Sequence, residues 1–225
     1  MALPTGVPVI TLRNLPIFES LSDDRLQPIA RVCSLQRVER NAVVMRAGDS
    51  TENVCFVLRG TLRVLVSDPD GREVILSILG PGELFGEMGV IDGLSRSATV
   101  IASEACDLVV ISNADFKRCL AENFDLSLSI MRGLVQRLRA ADKAIESLAL
   151  LDVYGRVARL LLEMAEDGPD GRRVVTRKIT KQDMAKMVGA SREMVSRVMK
   201  DLQRQGLVED VNGRLVLWDK PALPQ

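Results

Sequence analysis

Ile179–Gln205, ITKQDMAKMVGASREMVSRVMKDLQRQ, reads as two short amphipathic helices hinged at Val188-Gly189-Ala190. Thr180 can cap the first helix, with Asp183 three residues on as a short substitute for the Glu of a capping box. Met184, Met187 and Val188 line one side of it. Ser191 can cap the second helix, where Val195, Val198, Met199 and Leu202 recur at helical spacing. The opposite face carries Arg192, Glu193, Ser196, Arg197 and Lys200. Arg can donate two bonds to guanine, and Glu can accept from the amino group of cytosine. A helix pair whose second member begins with such side chains has the outline of a DNA reader. An ordinary helical hairpin with a solvated face shows the same pattern, so its surroundings must decide.

Downstream, Gly206 stops the second helix. Val208–Val211, Asn212-Gly213 and Arg214–Trp218 then read as a hairpin with a type I′ turn, a wing on which Arg214 is a candidate phosphate donor. Upstream, Val174–Thr176 suits a short strand, Asp167–Gly171 a loop and Gly155–Glu166 a helix. Leu151-Asp152-Val153 marks a junction. Before it, Met131, Leu134, Leu138, Ala141, Ile145 and Leu148 alternate three- and four-residue steps. That is a heptad seam, and it predicts a helix paired with its twin. Two-fold DNA sites call for two-fold proteins, so a homodimer is expected.

From about Val43 to Ile111 the chain changes character. Val54–Leu58, Thr61–Val66, Glu73–Leu79, Ala98–Ala102 and Asp107–Ile111 are short apolar runs separated by turn signals, which predicts an antiparallel barrel or jelly roll. Asp70-Gly71 predicts a tight hairpin between Leu62–Val66 and Val74–Ile78. Asp23–Arg37 suits a helical segment, and helical spacing returns at Asn113. The fold class is therefore α+β. The expected domains are a jelly-roll effector domain over 1–125, a dimerisation helix with hinge over 126–153, and a winged helix-turn-helix over 154–225.

Bulk composition narrows the chemistry. Lys+Arg and Asp+Glu both number 30, but from Tyr154 onward 14 basic residues face 10 acidic, a net of +4, which leaves −4 for residues 1–153. That asymmetry suits a DNA-facing C-terminal part. The chain has no histidine, which removes His-ligated zinc, His-ligated haem and His-based nucleophilic catalysis. Cys33, Cys55, Cys106 and Cys119 are too scattered for an iron–sulfur cluster and are expected to be buried thiols. No run approaches the roughly 18 apolar residues of a membrane span, and the start lacks a secretion signal, so a cytoplasmic location with no membrane partner is expected.

A second constellation is GELFGEMG from Gly82 to Gly89, followed by Ser95-Arg96-Ser97-Ala98. Glycines let backbone approach a ligand. Glu87 offers a carboxylate to a ribose hydroxyl, Arg96 a planar cation to a phosphate diester, and Ser97 a hydroxyl. The spacing suits a ribose fused to a cyclic phosphate, although salt-bridged Arg and Gly-rich turns also occur in barrels that bind nothing.

Together with the hinge LALLDV at Leu148–Val153 and VGASREMVSRV at Val188–Val198, these motifs are similar to the cyclic-AMP receptor protein/fumarate–nitrate regulator superfamily of bacterial transcription factors. The likeness runs from about Ile17 to Trp218 in order. It implies a jelly-roll ligand domain, a long dimer helix and a winged helix, with effector binding that reorients the reading helices. By position, Gly86, Glu87, Arg96 and Ser97 match the ribose–phosphate cassette. Arg192, Glu193 and Arg197 match base-reading residues, and Lys181 a phosphate contact. The expected DNA-facing set is Thr180, Lys181, Ser191, Arg192, Glu193, Ser196, Arg197 and Lys200.

Two departures stand out. Where cyclic-AMP-binding relatives place a hydroxyl pair against adenine, this chain has Ala141 and Asp142. An ionised Asp only accepts, from adenine's exocyclic amine or from guanine's N1 and N2, so cyclic AMP and cyclic GMP both fit as an allosteric effector with no covalent cofactor. The short Asp167–Gly171 loop lies where some relatives touch RNA polymerase, leaving that partner and the sign of regulation open. The expectation is a regulator and not an enzyme. The alternatives are a constitutive or cyclic-dinucleotide-responsive regulator, and a barrel enzyme acting on a small sugar phosphate.

Overall fold

The structure, a computed structural model, describes residues 6–168, 172–177, 179–211 and 213–218. The chain divides into two compact units at Arg137/Leu138. The first opens with α1 (Val9–Arg13), a 3-10 turn at Pro16–Phe18 and α2 (Asp23–Val32). Antiparallel strands β1 (Cys33–Val38), β2 (Val43–Met45), β3 (Asn53–Arg59), β4 (Leu62–Ser67), β5 (Glu73–Leu79) and β6 (Leu84–Phe85) follow, then α3 (Met88–Asp92), β7 (Thr99–Ala102) and β8 (Cys106–Ser112). They form two four-stranded sheets, ordered β1-β8-β3-β6 and β2-β7-β4-β5. This is the expected jelly roll. Helices α4 (Asn113–Glu122) and α5 (Phe124–Leu150) close the unit, α5 crossing into the second.

The run Val54-Cys55-Phe56-Val57 explains why β3 is central. Cys55 and Val57 point between the sheets with Met45, Leu62, Phe85, Val100 and Leu108. Val54 and Phe56 point to the other face, against Leu12, Phe18, Leu26, Phe116 and Leu126 from the helices. A strand covered on both faces is apolar throughout instead of alternating. All four cysteines are free and buried. Burial pushes the Cys33 and Cys55 thiols up to about 12 and Cys119 to about 11, so they stay protonated and inert at neutral pH.

Two helix boundaries differ from the sequence expectation, each because pairing with another strand overrides a local preference. The helix expected over Asp23–Arg37 ends at Val32, and Cys33–Val38 pairs residue by residue with Ile111–Cys106. The hairpin expected at Asp70-Gly71 forms, with β4 pairing antiparallel to β5 from Leu62↔Leu79 to Ser67↔Glu73. Asp68 N donates to Arg72 O at 2.9 Å and Gly71 N to Asp68 O at 3.0 Å, leaving a three-residue loop closed by Gly71 at φ +79°. That φ is why glycine stands there.

The second unit holds the end of α5, then α6 (Val153–Met164), β9 (Ala165–Asp167), β10 (Arg173–Val175), α7 (Lys181–Val188), α8 (Arg192–Arg204), β11 (Val208–Val211) and β12 (Arg214–Leu217). The helix expected to reach Glu166 stops at Met164, because Ala165 and Glu166 pair with Val175 and Val174 in a sheet ordered β11-β12-β10-β9. Val157, Leu161, Met184, Val188, Val195, Met199 and Leu202 form the core. Asp152 caps α6 by accepting from Gly155 N at 2.8 Å, and Arg159 bridges Glu146 of α5 and Glu163 of α6 at 3.2 and 3.4 Å. Most of the Asp167–Gly171 loop, Asn212 of the wing turn and the tail from Asp219 lie outside the described residues. Among the described residues, no helix is long and apolar enough to cross a membrane.

Candidate ligand pocket and DNA-reading surface

The cassette between β6 and β7 turns at Gly86, whose φ is +81°. A side chain there would put its Cβ 2.6 Å from Arg96 Nη1 and 2.7 Å from Met45 Cε, so glycine is what admits the guanidinium. Glu87, next along, is only 1% exposed. Its Oε1 accepts from Arg137 Nη1 at 2.6 Å, and Arg137 Nη2 also donates to Leu84 O. Among the described residues, its Oε2 is buried without a hydrogen-bond partner. A buried carboxylate oxygen left bare is costly, and such groups mark a place where a donor is expected.

Arg96 is 7% exposed. Nη1 donates to Gly86 O at 2.7 Å, and Nη2 to Asn53 O at 2.7 Å and Asn53 Oδ1 at 3.0 Å. Its backbone is pinned as well, Arg96 N to Asp49 O at 2.9 Å and Gly48 N to Arg96 O at 2.8 Å. Burial holds the guanidinium below arginine's ordinary value, while Cys55, Glu87, Asp49 and Glu52 pull it back up. It remains a cation at neutral pH. A recess of about 280 Å³ opens beside it, lined by Met45, Arg46, Asp49, Glu52 and Asn53 among others.

The expected ligand set is therefore brought together in part. Gly86, Glu87 and Arg96 converge, and Ser97 is exposed nearby with its Oγ 3.8 Å from Met88 Sδ. Ala141 and Asp142 are exposed on α5. Two residues were not anticipated. Arg137 stands four residues before Ala141, one helical turn away, and an arginine between Leu134 and Leu138 of an apolar seam is a signal the spacing carries. Asn53 immediately precedes the apolar run Val54–Leu58 and carries no such signal.

The second surface is α8. Val195, Val198, Met199 and Leu202 are buried, whereas Arg192, Glu193, Arg197 and Lys200 are exposed and Ser196 is half-buried. Ser191 Oγ accepts from Met194 N at 3.2 Å, and Thr180 Oγ1 accepts from Asp183 N at 3.0 Å while donating to Asp183 Oδ2 at 2.7 Å. Both caps thus form as read, with Thr180, Lys181 and Ser191 exposed. Gly189 takes φ +64° and ψ +48° between the helices. The Glu193 carboxylate is held below its ordinary range by its own backbone N–H, the Ser191 hydroxyl and nearby Arg192 and Arg197. It stays an acceptor. Arg214 is exposed where β12 begins.

Known proteins carry the same two parts in the same order. Residues 35–123 match the cyclic nucleotide-binding domain family and residues 155–225 the Crp-like helix-turn-helix domain family. The chain is 36% identical over 194 residues to the cAMP-activated global transcriptional regulator Vfr of Pseudomonas aeruginosa, covering 82% of this chain and 89% of that protein. It belongs to the Crp/Fnr family of DNA-binding transcription regulators. It is also 32% identical over 203 residues to the cAMP-activated global transcriptional regulator CRP of Escherichia coli O157:H7, covering 88% and 95%. Among solved structures, the c-di-GMP responsive global regulator CLP of Xanthomonas campestris superposes with a TM-score of 0.73 at 26% identity, covering 88% of this chain and all of that one. A CooA mutant from Carboxydothermus hydrogenoformans shares the fold at TM-score 0.76 and 22% identity, covering 92% of this chain and 91% of that one. The two family matches fall on the sheet unit and the helix-turn-helix unit built above.

Proposed function

We propose that this family member is a cytoplasmic homodimer that binds a two-fold DNA site under control of a cyclic mononucleotide held at Arg96 and Glu87, and that it acts as a regulator and not a catalyst. The observation that carries the reading is Glu87 Oε2, buried beside a buried cation and unpartnered among the described residues. A ribose 2′-hydroxyl would donate to it, and the adjoining phosphate would take the remaining Arg96 donors. Ser97 adds a hydroxyl. The cAMP-activated relatives support this effector class. At Asp142, beside Ala141, a carboxylate accepts from the amine of adenine or from N1 and N2 of guanine, so cyclic AMP and cyclic GMP are the two candidates. A cyclic dinucleotide is the second reading, supported by the name of the c-di-GMP responsive neighbour. RNA polymerase is a further partner in this proposal.

The effector acts only if it prefers the DNA-competent state. Reversing a 1:99 balance takes about 5.5 kcal/mol of preference. A thermal-shift panel tests the reading. Cyclic AMP or cyclic GMP is expected to raise the melting temperature by mass action, and the 2′-deoxy analogue, which cannot satisfy Glu87, to raise it far less. A response confined to cyclic di-GMP would transfer the assignment to the second reading, and equal responses to the 2′-hydroxy and 2′-deoxy forms would remove Glu87 from it.

On the DNA side, the proposed set is Thr180, Lys181, Ser191, Arg192, Glu193, Ser196, Arg197 and Lys200. Arg192→Ala is expected to relax base preference at one position by about 1–3 kcal/mol. Selection from random duplexes, run on both forms, reads this directly. Uniform weakening on all sequences would make Arg192 a phosphate contact instead.

A further inference from the structure

Resting on the reading that an anion binds at Arg96, we infer that Asn53 is the positioning residue of that site. It orients the guanidinium without neutralising it. Arg96 Nη2 donates to both the backbone and the side-chain oxygen of Asn53, at 2.7 and 3.0 Å, and Nη1 donates to Gly86 O at 2.7 Å. All three acceptors are uncharged. Arg96 has five N–H donors, and among the described residues these contacts leave the Nε–H and one Nη1–H for a ligand.

The charged and titratable groups around this cation are Arg46, Asp49 and Glu52 from the segment before β3, Cys55 on β3, and Glu87 ahead of α3. Asp49, Glu52 and Glu87 act on it through space, and no carboxylate among the described residues hydrogen-bonds to it. Two elements thus fix its plane through neutral oxygens, and its charge stays free for a phosphate. An aspartate at 53 would have nearly the same shape but would form an ion pair, occupying donors and cancelling the charge the ligand needs.

The test compares Asn53→Ala with the isosteric Asn53→Asp by calorimetric titration with cyclic AMP and cyclic GMP. Asn53→Ala loses one hydrogen bond to an uncharged acceptor and is expected to weaken binding about five-fold. Asn53→Asp is expected to weaken it about fifty-fold or more, because an internal carboxylate competes with the phosphate. A residue that only supported the local fold would give the reverse order, since the isostere disturbs packing less. Asn53→Asp no weaker than Asn53→Ala, or both matching wild type, overturns the inference. Should wild type bind neither nucleotide, the proposed effector is wrong, and nitrogen-15 NMR of the Arg96 side chain still decides the role of Asn53. Two resolved Nη signals in wild type that merge in Asn53→Ala support restraint by Asn53, and identical spectra overturn it.

Discussion

Arg96→Ala is expected to lower affinity for the responding cyclic nucleotide by about 100-fold or more, with the fold retained. The guanidinium is 7% exposed, so its bonds to a phosphate form out of water. Truncating one member of a buried charged pair costs about 2–5 kcal/mol, much of it from the partner left unpaired. Here the stranded partner is the phosphate. Arg96→Lys separates charge from shape. An ammonium keeps the charge but lacks the planar fork, and it cannot reach Gly86 O and Asn53 as the guanidinium does, so an intermediate loss of roughly ten-fold is expected, on the scale of one hydrogen bond. Calorimetry on the two variants checks the order. Arg96→Ala binding as tightly as wild type would place the phosphate elsewhere. The variant also frees three backbone and side-chain acceptors now bonded to Arg96, so melting curves without ligand are needed to separate lost stability from lost contact.

The parts of the molecule legible in the sequence are those written locally. Thr180 and Ser191 announce their helices because a cap acts on an N–H only three residues away. The alternation of Val195, Val198, Met199 and Leu202 needs only one helix face to be meaningful. Glu87 and Arg96 share one short cassette, and their convergence follows from its turn at Gly86. What escaped is set by partners far along the chain. Cys33–Val38 has enough helical character to extend α2, yet its ladder partner is Cys106–Ile111. β6 has two residues, too few to show a period, and exists because β3 offers Cys55 and Phe56 to pair with. Arg137 reaches Glu87 across 50 residues, and Asn53 reaches Arg96 across 43. Two charged residues of one cassette can be read from a single motif, but the groups that hydrogen-bond to them arrive from other elements, and no local spacing records that.

The other large effect is expected on α5. Of the heptad seam, Leu134 packs against the core of the first unit, and Leu148 lies beside Gly189 in the second. Among the described residues, Leu138 and Ile145 between them have no such cover, at 62% and 65% exposed. Burying a leucine or isoleucine side chain is worth about 1.5–3 kcal/mol, and a two-fold pairing buries each position twice. The double variant Leu138→Asp/Ile145→Asp would instead place four carboxylates in the seam, where each carries a desolvation cost and repels the others. Dimer dissociation is expected to rise by about 1,000-fold or more, since about 4 kcal/mol suffices for that factor. Sedimentation equilibrium reads the mass directly. Because both side chains already face solvent in the monomer, helical content and melting should change little, which separates a broken interface from a broken fold. DNA affinity should fall with the dimer, as two half-sites no longer share one protein. A double variant that keeps the wild-type mass would show that α5 does not carry the pairing, and the two-fold reading of this regulator would lose its structural basis.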